Sequence, residues 1–201
     1  SIDRFYGIEI NDFAVVVART AMWIAETGMK RETASIVHHD LDFFPLRSEA
    51  HIAEDNALRL DWRTICPAPD YIIGNPPFVG YSLQSKEQKE DLLSVYVDES
   101  DKPYKATGKI DYVAGWYFKA AEMMQGTAIR AALVSTNSIT QGEQVALIWK
   151  PLVDRFGIHI DFAYRTFRWD SEMAETAHVH CVIIGFSTAP SDAPATCANW
   201  R

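Results

Sequence analysis

The tetrapeptide Asn75-Pro76-Pro77-Phe78 is the segment of this chain whose residue types and order point most directly to chemistry. Two consecutive prolines fix the backbone and leave carbonyls projecting outward with no neighbouring N–H to satisfy them. The Asn75 side-chain oxygen and the Pro76 carbonyl can together accept both hydrogens of a planar exocyclic amine. Two such acceptors draw the nitrogen towards a tetrahedral geometry, whose lone pair can attack an electrophilic methyl group. Phe78 can stack on the ring that carries the amine. The competing reading is a Pro-Pro turn leaving a strand, with Phe78 as a core residue.

The flanking pattern places this tetrapeptide. Tyr71-Ile72-Ile73-Gly74 is a short, continuously apolar run, expected to be a strand buried on both faces, and Asn75 follows it directly. Upstream, Phe5 to Ile10 reads as a strand. Asn11-Asp12 then caps a helix whose apolar positions Phe13, Val16, Val17, Thr20, Ala21 and Ile24 recur at helical spacing until Gly28 stops the pattern. His51 to Leu58 reads as another strand, and Asp61-Trp62 opens a turn. Ser85, with Gln88 three residues on, forms a capping box for a charged helix reaching Tyr96. Asp98 to Lys109 is a polar stretch expected to be mobile or to need a ligand to order it.

Asp111 to Met124 reads as a helix, Ala131 to Ser135 as a strand, and Gln144 to Phe156 as a helix that Pro151 should kink or divide. His159 to Phe167 and His178 to Phe186 are two further strands, joined by a loop containing Arg168-Trp169. This alternation predicts a mostly parallel sheet covered by helices, with an antiparallel pair of terminal strands. Such sheets bind ligands at the carboxyl ends of their strands, which singles out Glu9, Asp55, Asn56, Asn75 to Phe78 and Ser135 to Asn137. The expected organisation is one domain over residues 1–187, followed by an Ala/Pro/Ser-rich exit linker over 188–201.

Composition narrows the field. Apolar residues at 48% and charged residues at 23% describe an ordinary folded domain. Nineteen Lys and Arg against 27 Asp and Glu leave a net charge of −8, which argues against this piece alone gripping a phosphate backbone. The three cysteines, Cys66, Cys181 and Cys197, are too few and scattered for a disulfide framework, and they suggest a reducing, cytoplasmic setting. His38-His39 sits in a polar turn-like stretch and His178/His180 on a strand, with no carboxylate at ligand spacing beside either, so no metal site is expected. No apolar run is long enough for a membrane span.

The segment Asp70-Tyr71-Ile72-Ile73-Gly74-Asn75-Pro76-Pro77-Phe78-Val79-Gly80 resembles the catalytic motif of S-adenosylmethionine-dependent amino-methyltransferases. Together with Phe5 to Ile10, Asn56 to Trp62 and Ser85 to Lys89, it is most similar to the adenine-N6 DNA methylases of large, single-chain, type IIG-like restriction-modification enzymes. The resemblance runs to about Phe186. It implies a Rossmann-like methyltransferase sheet, S-adenosylmethionine as cofactor and double-stranded DNA as the partner of the intact protein.

Residue by residue, it implies that Glu9 binds the cofactor's ribose hydroxyls, a role that also suits an acid ending a strand in such a sheet. The alternative for Glu9 is a surface carboxylate favoured by the following helix dipole. Asn56 matches the position that touches the cofactor's adenine, with Asp55 as the neighbouring candidate; the pair is equally able to form a turn. Phe167 or Trp169 would pack on the flipped base from its other face, or serve as hairpin-end core aromatics. Arg165 and Arg168 beside them are candidate phosphate contacts, or a solvated pair.

One family feature is missing. No two of the ten glycines are separated by a single residue, so the glycine-rich loop of the family's first motif is absent. Only eight residues precede Glu9, so the chain is expected to begin after that motif and to lack the family's first strand. That strand lies centrally in the parent sheet. Its absence predicts a homodimer of the fragment or a rearranged sheet, and weak or absent cofactor binding and activity by the isolated piece. The alternatives carried forward are an RNA or protein-glutamine methyltransferase, and a non-catalytic nucleic-acid-binding module of methylase shape.

Overall fold

A computed structural model describes residues 1–37, 49–169, 179–188 and 196–198. The chain divides into two compact units, 1–68 and 69–201. The division follows the hydrogen bonding, because the strands form two separate sheets rather than one.

In the first unit, β1 (Tyr6–Glu9) pairs in parallel with β2 (His51–Glu54), and Glu9 stands opposite Glu54. Between them runs α1 (Asp12–Val37). Asn11 caps α1 as its residue type predicts, its Oδ1 accepting from Ala14 N–H at 2.9 Å. Gly28 does not end this helix, contrary to expectation. The Glu26–Lys30 pair at 3.8 Å spans it, and the good helix formers that follow outweigh one glycine's cost of about 1 kcal/mol. Arg19 ties α1 to β2 by donating to the Ile52 carbonyl at 2.9 Å. A single turn, α2 (Trp62–Ile65), is capped by Asp61, whose side chain accepts from Arg63 N–H.

The second unit holds a five-stranded sheet. Its strands are β3 (Tyr71–Gly74), β4 (Arg130–Thr136), β5 (His159–Trp169), β6 (Val179–Ser187) and β7 (Thr196–Ala198), in the order β3-β4-β6-β5-β7. β3 and β4 are parallel, β6 runs antiparallel to both β4 and β5, and β7 is parallel to β5. The expected antiparallel pair is present, with β6 inserted between β4 and β5. β5 continues through Arg168 and Trp169, which were expected in a loop. The segment expected as a linker contributes β7.

Three helices accompany this sheet: α3 (Lys86–Val95), α4 (Ala114–Met124) and α5 (Gly142–Phe156). The Ser85/Gln88 capping box opens α3. Alternation selects the covered face of the sheet, where Ala131, Leu133 and Ser135 of β4 stand opposite Phe186, Ile184 and Val182 of β6, all buried. Tyr117, Phe118, Ile148 and Leu152 complete this core.

Burial of β3 on both faces is not observed. Tyr71 is 72% exposed and Ile73 80%. They share the face of Ala132, and no described element covers them; β3 is also an edge, paired only with β4 among the described residues.

Pro151 lies inside α5 without dividing it. The stretch from Asp98 to Lys109 is folded rather than loose: Asp98 Oδ1 accepts from Ser100 N–H (2.8 Å) and Lys102 N–H (3.1 Å). Tyr104 N–H reaches the Tyr96 carbonyl, and a short helical turn spans Thr107–Lys109. No helix among the described residues is long and apolar enough to cross a membrane.

Candidate active site

Asn75 leaves β3 at its carboxyl end, where the parallel neighbour β4 runs on beside it. Gly74 just before it leaves little room for a side chain, since a Cβ there would lie 3.3 Å from Cδ2 of the buried Leu133. Asn75 and Pro77 are exposed, Pro76 is buried and Phe78 is half-buried. The Pro77 carbonyl accepts from Val79 N–H at 3.2 Å. Neither the Asn75 side chain nor the Pro76 carbonyl takes a hydrogen-bond partner among the described residues. These two oxygens thus keep the acceptor capacity that the sequence assigns them, on a backbone whose prolines cannot turn inward to satisfy it.

In the first unit, β1 and β2 end side by side, and Asp55 N–H donates to the Glu9 carbonyl at 3.0 Å. Glu9 is half-buried, with Oε1 accepting from Asn11 N–H at 3.0 Å. Its other oxygen takes no partner among the described residues, which suits a hydroxyl donor such as a ribose. Asp55 is exposed, and its Oδ1 accepts from Asn56 N–H at 2.7 Å. Asn56 Oδ1 accepts from Leu58 N–H at 2.9 Å, so this side chain forms the turn that was the alternative reading. The structure therefore gathers Glu9, Asp55 and Asn56 at one strand end.

The model of the family described as MmeI, DNA-methyltransferase domain, matches residues 1–196. The chain belongs to that family. DNA methyltransferase A of Bacillus subtilis (strain 168) is 41% identical over 192 residues, a match covering 92% of this chain and 21% of that protein. Among solved structures, the type IIL restriction-modification enzyme MmeI in complex with DNA superposes with a TM-score of 0.87 at 45% identity. That match covers 96% of this chain and 25% of MmeI. The type IIG restriction endonuclease BpuSI shares the fold alone, at 16% identity and a TM-score of 0.50 over 71% of this chain and 16% of its own. The chain thus spans about a quarter or less of the relatives it matches.

Within this methyltransferase domain, Phe167 is half-buried on β5, opposite Cys181 of β6. Arg165, Arg168 and Trp169 belong to β5 by backbone, but their side chains lie outside the described residues, as do His38, His39 and His178.

The second unit adds residues that the sequence reading passed over. Asp111, read as the start of a helix, lies before α4 in a run that is otherwise apolar and buried, and is only 6% exposed. Its Oδ1 accepts from Tyr81 N–H at 3.0 Å, and its Oδ2 accepts from the Ser138 hydroxyl. Gln84, equally buried, donates to the Ile110 carbonyl at 2.9 Å. The signal available in sequence was the acid itself, set between Ile110 and Tyr112-Val113-Ala114 where burial without partners would be costly. Ser135 is consumed by the core, sharing a hydrogen bond of 2.8 Å with Tyr117 Oη.

Proposed function

We infer that this domain is the methyl-transfer core of a restriction-modification DNA methylase that modifies the N6 amine of adenine in double-stranded DNA. The observation that carries the reading is the pair of unpartnered acceptors, Asn75 Oδ1 and the Pro76 carbonyl, at the carboxyl end of β3. Both amine hydrogens of an extruded adenine would be accepted there. Acceptance localises the nitrogen lone pair that the ring otherwise delocalises. Pro77 holds the backbone rigid, and Phe78 stacks on one face of the base.

Phe167 or Trp169 offers the opposite face, and Arg165 and Arg168 offer charge to the neighbouring phosphates. Glu9 would hold the ribose of S-adenosylmethionine, with Asp55 and Asn56 beside the adenine. When bound, that cofactor supplies an activated methyl group on a sulfonium centre. The type IIL relative's complex with DNA supports the partner, and the family supports the donor.

The finer fold assignment is a Rossmann-like methyltransferase sheet without its first strand. It is supported by two parallel edges, β1 and β3, each paired on one side only among the described residues. The isolated 201 residues are accordingly proposed to be inactive, with activity residing in a longer polypeptide in the cytoplasm, where target recognition is supplied by other segments.

The test is methyl transfer by the full-length protein to DNA, RNA and protein acceptors, followed by nucleoside analysis. N6-methyladenine in DNA is expected, and Asn75→Ala should lower the rate by at least about 100-fold while leaving the fold intact. Label found only in RNA or glutamine, or full activity of Asn75→Ala, would overturn the reading.

A further inference from the structure

We propose that Asp111 is a positioning residue for the transfer, a role that rests on the methyl-transfer reading of Asn75 to Phe78. Its carboxylate ties the loop that leaves Phe78 to the carboxyl end of β4, and so fixes how that loop presents its acceptors.

The loop is held at both ends by the same strand. At its start, Gly74 is paired with Leu133 of β4. At its far end, Tyr81 N–H donates to Asp111 Oδ1 at 3.0 Å. Asp111 Oδ2 accepts from Ser138 Oγ, and Ser138 Oγ lies 2.6 Å from Oγ1 of Thr136, the last residue of β4. Since Ser138 spends its only proton on the carboxylate, Thr136 must be the donor in that second bond. The circuit thus runs from β4 through Gly74, the Asn75–Phe78 loop, Tyr81, Asp111 and Ser138 back to β4.

The neighbours of Asp111 reinforce the same clamp. Tyr112 N–H donates to the Val79 carbonyl at 3.0 Å, and Gln84 Nε2 to the Ile110 carbonyl at 2.9 Å, so three consecutive residues grip three points between Val79 and Gln84. Gly80 lies inside the grip, where a Cβ would stand 3.8 Å from Asp111 Oδ1. The Asp111 N–H donates to Gln144 Oε1 at 3.1 Å, which fixes the aspartate against α5.

A carboxylate suits this place better than an amide. Both facing groups are donors, and only an ionised acid offers an acceptor to each. Asparagine can satisfy Tyr81 N–H, but it then presents N–H₂ to Ser138 and forces the Ser138–Thr136 pair to reverse. Buried hydrogen bonds of this kind hold a loop in one geometry, and a displacement of about 1 Å at a reacting group can cost about 100-fold in rate.

The experiment uses the full-length protein with wild-type residues, Asp111→Asn, Ser138→Ala and the double variant. It measures kcat, the KM for S-adenosylmethionine, DNA affinity, and the fluorescence of 2-aminopurine placed at the target adenine. The expected result is a kcat lowered by at least about tenfold in each single variant, with KM and DNA affinity within about twofold. The double variant should fall little further, because both changes open one circuit. The 2-aminopurine signal should change with kcat, reporting altered stacking at Phe78.

Unchanged kcat in both single variants, or a loss matched by an equal rise in KM, would overturn the proposal. Should Asp111→Asn fail to fold, Ser138→Ala decides alone by the same criteria. A wild-type protein that transfers no methyl to DNA would overturn the underlying reading and the proposal with it, whereas an active wild type with fully active variants would overturn only the proposal.

Discussion

The Tyr96 hydroxyl donates to the Leu147 carbonyl at 2.6 Å, and Leu147 is the residue whose helical partner Pro151 removes. In an α-helix that carbonyl would accept from the N–H four residues on, which proline lacks. Tyr96 supplies the missing donor from outside α5 and also reaches the Ile148 carbonyl at 3.1 Å. Burial pushes the phenol's pKa upward, which keeps it protonated and a donor throughout the neutral range. α5 runs unbroken from Gly142 to Phe156 with this substitute donor in place.

Removing the donor should therefore expose the defect. Tyr96→Phe is expected to destabilise the protein by about 1 kcal/mol, the cost of a lost hydrogen bond to the part-buried Leu147 carbonyl. In a Pro151→Ala background the helix regains its own N–H, so the same substitution should cost clearly less. Denaturant unfolding of the four proteins of this double-mutant cycle measures the coupling. Equal costs in the two backgrounds would show that Tyr96 acts only by packing.

The same example marks where sequence stops being legible. Pro151 announces a break by a local rule, and its remedy lies on Tyr96, 51 residues away. Features decided within a few residues were readable: the Ser85/Gln88 box, the Asn11 cap and the placement of Asn75 at the end of β3. Asp111 was not, since its partners Tyr81, Ser138 and Gln144 stand 27 to 33 residues distant. Gly28 misled because its neighbours' propensity outweighed its own. Tyr71 and Ile73 misled because apolar type reports a preference for burial, while cover must come from another element.

Gly185 is fixed by an aromatic ring. It pairs with Phe162 across β5 and β6, and a Cβ at 185 would lie 2.1 Å from Phe162 Cε1. Gly185→Ala must displace that ring from its contact with Tyr164, and a loss of about 1–3 kcal/mol is expected. Phe162→Leu removes the colliding edge, so the double variant should be more stable than the sum of the single losses. Thermal unfolding of the set decides it; strictly additive losses would mean that the clash relaxes elsewhere.

Asp98 should give the loop after Tyr96 an acid limit. Backbone hydrogen bonds from Lys102 and then Ser100 hold its carboxyl below the usual aspartate range. A depressed folded value stabilises the folded loop when pH lies above the unfolded value, and the contribution disappears as pH falls below about 4, through the folded value. The protection factors of the Ser100 and Lys102 amides, which correct exchange for its intrinsic slowing at low pH, should then fall on acidification. Asp98→Asn should show lower protection factors at neutral pH and lose that acid step. A variant with wild-type protection at both pH values would remove Asp98 as the anchor.

Ile73 offers a way to ask what covers β3. An isoleucine 80% exposed, beside a tyrosine 72% exposed on an edge strand, presents both an apolar face and unpaired backbone groups. If the 201-residue chain is studied alone, this surface should drive self-association, and Ile73→Lys should lower it in sedimentation velocity by placing a charge on the contact. In the full-length protein the expectation reverses. There the face is proposed to be covered by a helical layer from the remainder of the methyltransferase domain, so a buried lysine should destabilise the domain by several kcal/mol and depress cofactor binding. A lysine tolerated in the full-length protein would mean that β3 keeps an open face in the working enzyme.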